Sequence, residues 1–173
     1  MRVLISKELT MREKSIRKLQ RLPGYDYSQD GVYFVTICSE NRKHIFGDIS
    51  TNMPPIMELN SLGLILQNAI IEIPSHHKEV RVLTYVVMPN HVHLLLEIDP
   101  IDTLTNSTDL SRIVKGLKAF VSKTARNLGV EEKVWQRSFH DHIIRDEMDL
   151  ETHYEYIISN VDQWHEDEYC NFN

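Results

Sequence analysis

The sequence is poor in cysteine and has no long apolar run. Its 173 residues include two cysteines, Cys38 and Cys170, too few for a disulfide framework or a four-cysteine zinc site. No apolar run approaches the roughly 20 residues that a membrane span needs, and Val3-Leu4-Ile5 is too short for a signal-peptide core. With 42% apolar and 25% charged residues, the composition excludes whole-chain disorder and collagen-like repeats. We therefore expect a cytoplasmic globular protein with no membrane partner.

The sequence also lacks a net positive charge. Its formal charge of −6 argues, on its face, against a nucleic-acid partner. The distribution is uneven, however. Residues 1–130 contain 16 Lys and Arg against 13 Asp and Glu, a net charge of +3, whereas residues 131–173 contain 3 against 12, a net charge of −9. Seven of the basic residues lie in the first 22 positions, so we predict a basic N-terminal arm over 1–24 and a single domain over 25–173.

The pattern of apolar residues predicts an α+β fold. Four segments rich in β-branched and aromatic residues are predicted to be strands: 31–38, 80–88, 91–98 and 139–145. Three segments have helical spacing: 60–74, 110–128 and 147–161. The candidate caps of the first two helices are Asn60 or Ser61 and Ser107 or Asp109, and the expected stops are Pro74 and Gly129. The order β-α-β-β-α-β predicts a ferredoxin-like antiparallel sheet with two helices on one face and an additional C-terminal helix.

The helix predicted at 110–128 has an apolar side and a basic side. The apolar side consists of Leu110, Ile113, Val114, Leu117, Val121 and Leu128. The basic side consists of Arg112, Lys115, Lys123 and Arg126, with no acidic residue between Ser111 and Val130. A solvated outer surface is the ordinary explanation for such a side, and contact with phosphate groups is the alternative.

Two predicted strands carry a His-x-His pair. On the strand 91–98, His91 and His93 share the face opposite to an apolar one formed by Val92, Leu94, Leu96 and Ile98. His140 and His142 form a second pair, with Trp135-Gln136-Arg137 before them and Arg145 after them, a mixture suited to an anionic ligand. Either pair can bind a divalent ion, and either can instead be hydrogen-bonded or partly buried.

The C-terminal helix separates its two tyrosines. Its apolar stripe is Leu150, Tyr154, Ile157, Ile158 and Val161, so we expect Tyr154 in the core. Tyr156 lies off that stripe, on the side of His153 and Asn160. Tyr156 and Asn160 are one helical turn apart. If this side covers the histidines, it offers a nucleophile and a third metal ligand; an ordinary exposed tyrosine is the alternative.

Four stretches together resemble a known family. Residues 85–94, which contain Met88-Pro89-Asn90-His91-Val92-His93, resemble the His-hydrophobic-His motif of single-strand DNA transposases with one catalytic tyrosine. Residues 22–27, 135–145 and 156–160 agree in order, so that nearly the whole chain resembles the REP-associated tyrosine transposases. Val161 stands where that family usually has proline after the asparagine, a change that is expected to lengthen the helix and shift Asn160.

The resemblance implies a reaction and a set of site residues. His91 and His93, with Asn160 as third ligand, would hold Mg²⁺ or Mn²⁺, and Tyr156 would attack a DNA phosphate to give a 5′-phosphotyrosyl intermediate. The implied partner is single-stranded or hairpin DNA, and the protein would be a monomer or homodimer. A domesticated hairpin-binding protein without cleavage is the alternative, and a metal-dependent hydrolase of small phosphoesters is a third hypothesis.

Basic residues are the candidates for phosphate contacts. They come from the arm, from the basic side of the helix 110–128 and from the flanks of the second histidine pair: Arg12, Arg17, Lys18, Arg21, Arg112, Lys115, Lys123, Arg126, Arg137 and Arg145.

Overall fold

A computed structural model of the chain describes residues 30–99 and 109–166. The predicted basic arm, with the proposed DNA contacts Arg12, Arg17, Lys18 and Arg21, lies outside the described residues. Cys170 does as well, and Cys38 is buried and forms no disulfide within the described residues.

Within the described residues, six strands form two sheets. In chain order they are β1 (Gly31–Cys38), β2 (Gly47–Ile49), β3 (Met57–Leu59), β4 (Val80–Val87), β5 (His91–Ile98) and β6 (His140–Ile143). The main sheet has the order β4-β5-β1-β6 with every neighbouring pair antiparallel, and β2 pairs with β3 in a separate hairpin. This strand order is that of the ferredoxin-like arrangement, so the predicted fold class is confirmed.

Four helices connect and cover the strands: α1 (Ser61–Ile71), α2 (Ile73–His76), α3 (Leu110–Asn127) and α4 (Glu147–Ser159). Asparagine or aspartate caps each of the three longer ones. The Oδ1 of Asn60 accepts hydrogen bonds from the backbone N–H groups of Leu62 and Gly63. Asp109 and Asp146 cap α3 and α4 in the same way. The caps satisfy N–H groups that have no partner within the helix, which explains why the helices begin where they do.

Two local features differ from the expectation. Pro74 does not stop α1, which already ends at Ile71; it lies in the first turn of α2, where the missing N–H and fixed φ of proline cost nothing. The hairpin of β2 and β3 was not predicted, because strands of three residues carry too little alternation to be recognised.

One side of the main sheet, called the helix face here, forms the main core with α1 and α3. The fully buried strand residues of this face include Tyr33, Val35, Val92, Leu94 and Leu96. The buried residues of α3 that pack against them include Leu110, Ile113, Val114, Leu117 and Val121, as predicted. Leu128 is a correction, since it is 56% exposed. It follows the last turn of α3, where Gly129 adopts a positive φ of 84° and turns the chain, and Ala125 is buried instead.

The opposite side of the main sheet, the histidine face, is covered by α4. Cross-strand partners share a face, and the register pairs Cys38 with His91, and Thr36 with both His93 and His140. The side of α4 that is turned toward the sheet carries His153, Tyr156 and Ile157, and Asn160 follows at the C-cap. No helix of the described residues is long and apolar enough to cross a bilayer.

The rotation of α4 corrects the predicted apolar stripe. Tyr154, expected in the core, is 44% exposed, and Ile158 is 59% exposed, whereas Ile157 is buried. The physical reason is the composition of the histidine face. Because that face presents imidazole, hydroxyl and aromatic groups, the helix packs its own aromatic and polar side chains against it, and hydrophobicity alone does not predict its rotation.

Candidate active site

Two buried histidines form the floor of the site. His91 is fully buried and His93 is 2% exposed, and their rings lie 4.5 Å apart at an interplanar angle of 70°. Both side chains point to the histidine face because residues i and i+2 of a strand share a face. The two-residue spacing predicts neighbouring imidazoles, and in the structure the rings of His91 and His93 are in direct contact.

Hydrogen bonds at Nδ1 orient both rings. The Nδ1 of His93 lies 2.8 Å from the Thr36 hydroxyl, and the Nδ1 of His91 lies 2.8 Å from the Asn90 Oδ1. The Asn90 side-chain amide nitrogen donates to the Arg42 carbonyl, so its oxygen is turned toward His91. His91 accordingly donates from Nδ1, and its Nε2 carries the lone pair. Such support is typical of histidines that bind a metal through the other nitrogen.

Burial keeps both imidazoles neutral. Desolvation holds the pKa of His91 well below its ordinary value, and electrostatic interactions with His93, Arg42 and His44 act in the same direction. Desolvation, with a smaller contribution from His153, lowers the pKa of His93 to about 3. Neutral imidazole is the form that binds a metal ion.

Tyr156 lies over this pair. Its hydroxyl is 3.5 Å from the Nε2 of His93, and its ring makes edge contacts with His93 and with Phe34 of β1. The side chain is 37% exposed. The phenol thus borders both the buried histidines and solvent.

Asn160 lies one turn beyond Tyr156 and is buried. One further turn along, the ring of Trp164 stacks on His91 at 6.1 Å between centroids. Asn160 therefore stands between two residues of the same helical path that contact the two histidines.

At Val161, where the resembling family has proline, the chain keeps turning. Regular α-helix ends at Ser159, but Gln163 N–H bonds to the Ser159 carbonyl and Trp164 N–H bonds to the Val161 carbonyl. The Val161 side chain packs with Cys38, Met88 and Trp164. Valine is compatible with an extended turn that places Trp164 on His91.

The donor set fits a divalent cation. Two of its buried atoms, the Nε2 of His91 and the Oδ1 of Asn160, make no hydrogen bond within the described part of the chain, although both residues have other interactions. Together with the Nε2 of His93, these atoms would give two nitrogens and one amide oxygen without formal charge. Carbonyl oxygen suits Mg²⁺ and Mn²⁺, whereas imidazole suits transition-metal ions, so this donor set favours Mn²⁺ over Mg²⁺.

The sequence analysis missed several neighbours of the site. Arg42 and His44 belong to the loop after β1 and act electrostatically on His91, and His44 also contacts Trp164. Phe34 stacks on His93 with ring centroids 5.2 Å apart. The basic run at 42–44 was a usable signal, but nothing in the sequence indicated that this loop lies beside the Asn90-His91 turn.

The second histidine pair is divided by the structure. His140 is exposed, whereas His142 contacts Asp149 and stacks on His153. Trp135, expected to contact an anionic ligand, is buried against Phe46 in the main core.

The proposed phosphate contacts lie on two sides of the molecule. Arg112, Lys115, Lys123 and Arg126 are all exposed, as expected for one side of α3. Since α3 packs on the helix face, these residues are on the other side of the sheet from Tyr156. Arg137 and Arg145 are exposed and flank β6, whose histidines are on the histidine face.

Comparison with known proteins identifies the family. A family model described as "Transposase IS200 like" matches residues 28–160. An uncharacterised protein of Haemophilus influenzae is 34% identical over 168 residues, which cover 88% of this chain and 92% of that protein. A second Haemophilus influenzae protein, described as a REP-associated tyrosine transposase, is 24% identical over 147 residues, which cover 78% of this chain and 72% of that protein.

A solved structure shares the fold. It is a REP-associated tyrosine transposase bound to a REP hairpin, and it matches with a TM-score of 0.58 and 21% identity over 82% of this chain and 72% of that chain. The resemblance inferred from the sequence motifs is confirmed: the chain belongs to the IS200-like transposase family.

Proposed function

We propose that this transposase-family protein nicks single-stranded DNA and transfers the strand through a phosphotyrosine at Tyr156. The observation that carries the proposal is the position of the Tyr156 hydroxyl, 3.5 Å from the Nε2 of His93 and partly open to solvent. A nucleophile beside two oriented, neutral imidazoles is the arrangement that metal-assisted attack on a phosphodiester requires.

His91, His93 and Asn160 would hold Mg²⁺ or Mn²⁺. The bound ion would polarise the scissile phosphate and favour the ionised form of a phenol whose ordinary pKa is about 10. Thr36 and Asn90 keep the two histidine Nε2 atoms in their orientation through the hydrogen bonds at Nδ1. Burial of both rings excludes water from that side of the site.

The chemistry is a pair of transesterifications. The Tyr156 oxygen bonds to phosphorus as its proton passes to solvent, and the bond from phosphorus to the 3′-oxygen breaks. That oxygen takes up a proton and becomes a free 3′-hydroxyl, while the 5′ side stays on the tyrosine. A second 3′-hydroxyl then attacks the same phosphorus and releases Tyr156. Because each step exchanges one phosphodiester for another, no ATP is required.

Single-stranded or hairpin DNA with REP-like sequence is the proposed substrate. A solved structure with the same fold is bound to a REP hairpin, which supports this substrate class. Basic side chains would contact the phosphates: Arg12, Arg17, Lys18, Arg21, Arg112, Lys115, Lys123, Arg126, Arg137 and Arg145. Arg137 and Arg145, which are exposed beside β6, would meet DNA on the histidine face, and the basic residues of α3 would meet DNA that continues around the sheet. We propose that the protein acts as a monomer or homodimer.

Covalent trapping tests the proposal. The protein is incubated with end-labelled hairpin DNA that carries single-stranded flanks, with Mn²⁺ or with EDTA, and adducts are separated on a denaturing gel. We expect an adduct only with the metal, and Tyr156→Phe should reduce its formation at least about 10³-fold, because phenylalanine has no nucleophilic oxygen. Tyr154→Phe is the matched control, since Tyr154 lies two residues away and is exposed.

Two results would contradict the proposal. An adduct that persists in Tyr156→Phe and disappears in Tyr154→Phe would show that the nucleophile is Tyr154 and not Tyr156. Binding of a broad panel of hairpins without any adduct would instead identify a DNA-binding protein that has lost cleavage.

A further inference from the structure

A second cluster of metal-ligating side chains lies beside the Tyr156 site. It consists of His142 on β6 and of Asp149 and His153 on α4. One nitrogen of each imidazole and one carboxylate oxygen all lie within 4.8 Å of one another. The His142 Nε2 is 2.8 and 3.0 Å from the two Asp149 side-chain oxygens. The His153 Nδ1 is 2.8 Å from the Asp149 backbone carbonyl, to which it donates, and 3.1 Å from the Asp149 Oδ1, so an ion bound at this nitrogen would replace its proton.

Both elements hold the cluster in place. Asp149 and His153 are four residues apart and so occupy neighbouring positions on one side of α4. The Asp149 Oδ2 also accepts the backbone N–H of Arg145, which fixes the carboxylate at the start of the helix. The two imidazole rings are stacked, with centroids 4.6 Å apart and an interplanar angle of 17°. All three side chains are half-buried, so an ion can enter from solvent and keep water as a further ligand.

We propose that His142, Asp149 and His153 bind a second divalent ion of the Zn²⁺ class, separate from the ion proposed at His91 and His93. Bonds from Zn²⁺ to nitrogen and oxygen are about 2.0–2.2 Å, so tetrahedral ligands on one ion lie about 3.3 to 3.6 Å apart. The separations of 2.8 to 3.1 Å between Asp149 and the two histidines are those of hydrogen bonds, and they would lengthen by a few tenths of an ångström around an ion. Two imidazoles and one carboxylate favour Zn²⁺ over Mg²⁺, which prefers oxygen ligands.

An ion bound at this second site would help to fix the position of Tyr156. His153 is one turn before Tyr156, and the Phe34 ring contacts His153, Tyr156 and His93. An ion shared between β6 and α4 ties the start of the tyrosine helix to the sheet at a point that packs directly against the nucleophile. Without an ion, the same three residues form only a hydrogen-bonded contact between the two elements.

Zinc binding to a variant without the first site tests the proposal. In His91→Ala/His93→Ala, calorimetric titration with ZnCl₂ should give one equivalent per chain. At about 100 times the dissociation constant, Zn²⁺ should raise the melting temperature by about 5–10 °C. Adding Asp149→Asn and His153→Gln should abolish both effects. Adding His140→Gln instead should leave them, because His140 is on the same strand but outside the cluster.

Two outcomes would overturn the second site. One is the absence of zinc binding in His91→Ala/His93→Ala, and the other is zinc binding that survives the loss of Asp149 and His153. If the double alanine variant does not fold, the wild-type chain is titrated instead. Asp149→Asn/His153→Gln should then lower the stoichiometry by one equivalent per chain, and an unchanged stoichiometry would refute the site. Neither measurement uses DNA cleavage, so its result is independent of the proposed function.

Discussion

The two faces of the main sheet are built from the same strands but differ in the chemistry of their buried side chains. On the helix face, residues such as Leu94 and Val35 are buried among the apolar side chains of α1 and α3. On the histidine face, their immediate neighbours His93 and Thr36 are also buried but are hydrogen-bonded to each other. An aromatic and polar side of α4 covers them. Burial on the helix face stabilises the fold, whereas burial on the histidine face keeps two imidazoles neutral while hydrogen bonds orient them.

The largest difference between the two faces in the effect of a substitution is expected for Leu94→Ala on the helix face. Leu94 is fully buried in the main core, so truncation should lower the free energy of unfolding by about 2–5 kcal/mol. Urea denaturation measures this loss. Ile158→Ala, at a position that the sequence assigned to the core but that is exposed, should change it by less than about 0.5 kcal/mol. Below the melting transition, the metal affinity of Leu94→Ala should equal that of the wild type. Equal losses of unfolding free energy in Leu94→Ala and Ile158→Ala would mean that the main core does not have the described composition.

A smaller effect, on metal affinity rather than on stability, is expected for Thr36→Val on the histidine face. Loss of the hydroxyl removes the hydrogen bond to the His93 Nδ1, and metal affinity should fall by about 10–100-fold. Thr36→Ser should restore it, since serine keeps the hydroxyl. Val35→Ala, on the neighbouring residue of the helix face, should reduce stability without changing the affinity. Calorimetric titration with Mn²⁺ distinguishes these variants. An unchanged affinity in Thr36→Val would show that this hydrogen bond does not position a ligand.

The smallest effect is expected on the outer side of α3. If Lys123 contacts a DNA phosphate, Lys123→Gln should reduce the slope of log affinity against log salt by about 0.7 for single-stranded DNA. Lys78→Gln, an exposed lysine outside the proposed contacts, is the matched control and should not alter the slope. Fluorescence anisotropy at several salt concentrations measures both. Identical slopes for the two variants would restrict the DNA to the histidine face.

Local periodicity accounts for the parts of the fold that were predicted correctly. The alternation along β5 separates His91 and His93 from Val92 and Leu94 without any knowledge of the partner strands. The caps Asn60 and Asp109 were recognised because capping depends on residues that are adjacent in sequence. The β2–β3 hairpin escaped recognition because its strands are too short for a periodic signal.

The surroundings of the site were harder to predict for a physical reason. The rotation of α4 follows from contacts of Tyr156 with Phe34 and His93, residues far away in the sequence. The apolar stripe pointed to Tyr154 instead, because hydrophobicity predicts packing only when the opposing surface is apolar. Likewise, the pairing of His142 with Asp149 depends on where α4 begins relative to β6.

The sequence by itself determined the order of the elements, the two chemically different faces of β5, and the placement of Tyr156 and Asn160 on one side of a helix. Each of these follows from a period of 2 or 3.6 residues within one segment. Only the tertiary structure decided that this side of α4 covers the histidines, that the basic side of α3 lies across the sheet, and that His142 joins His153 and Asp149. Those arrangements depend on how separate segments pack, and packing energy is shared between residues that no local pattern connects.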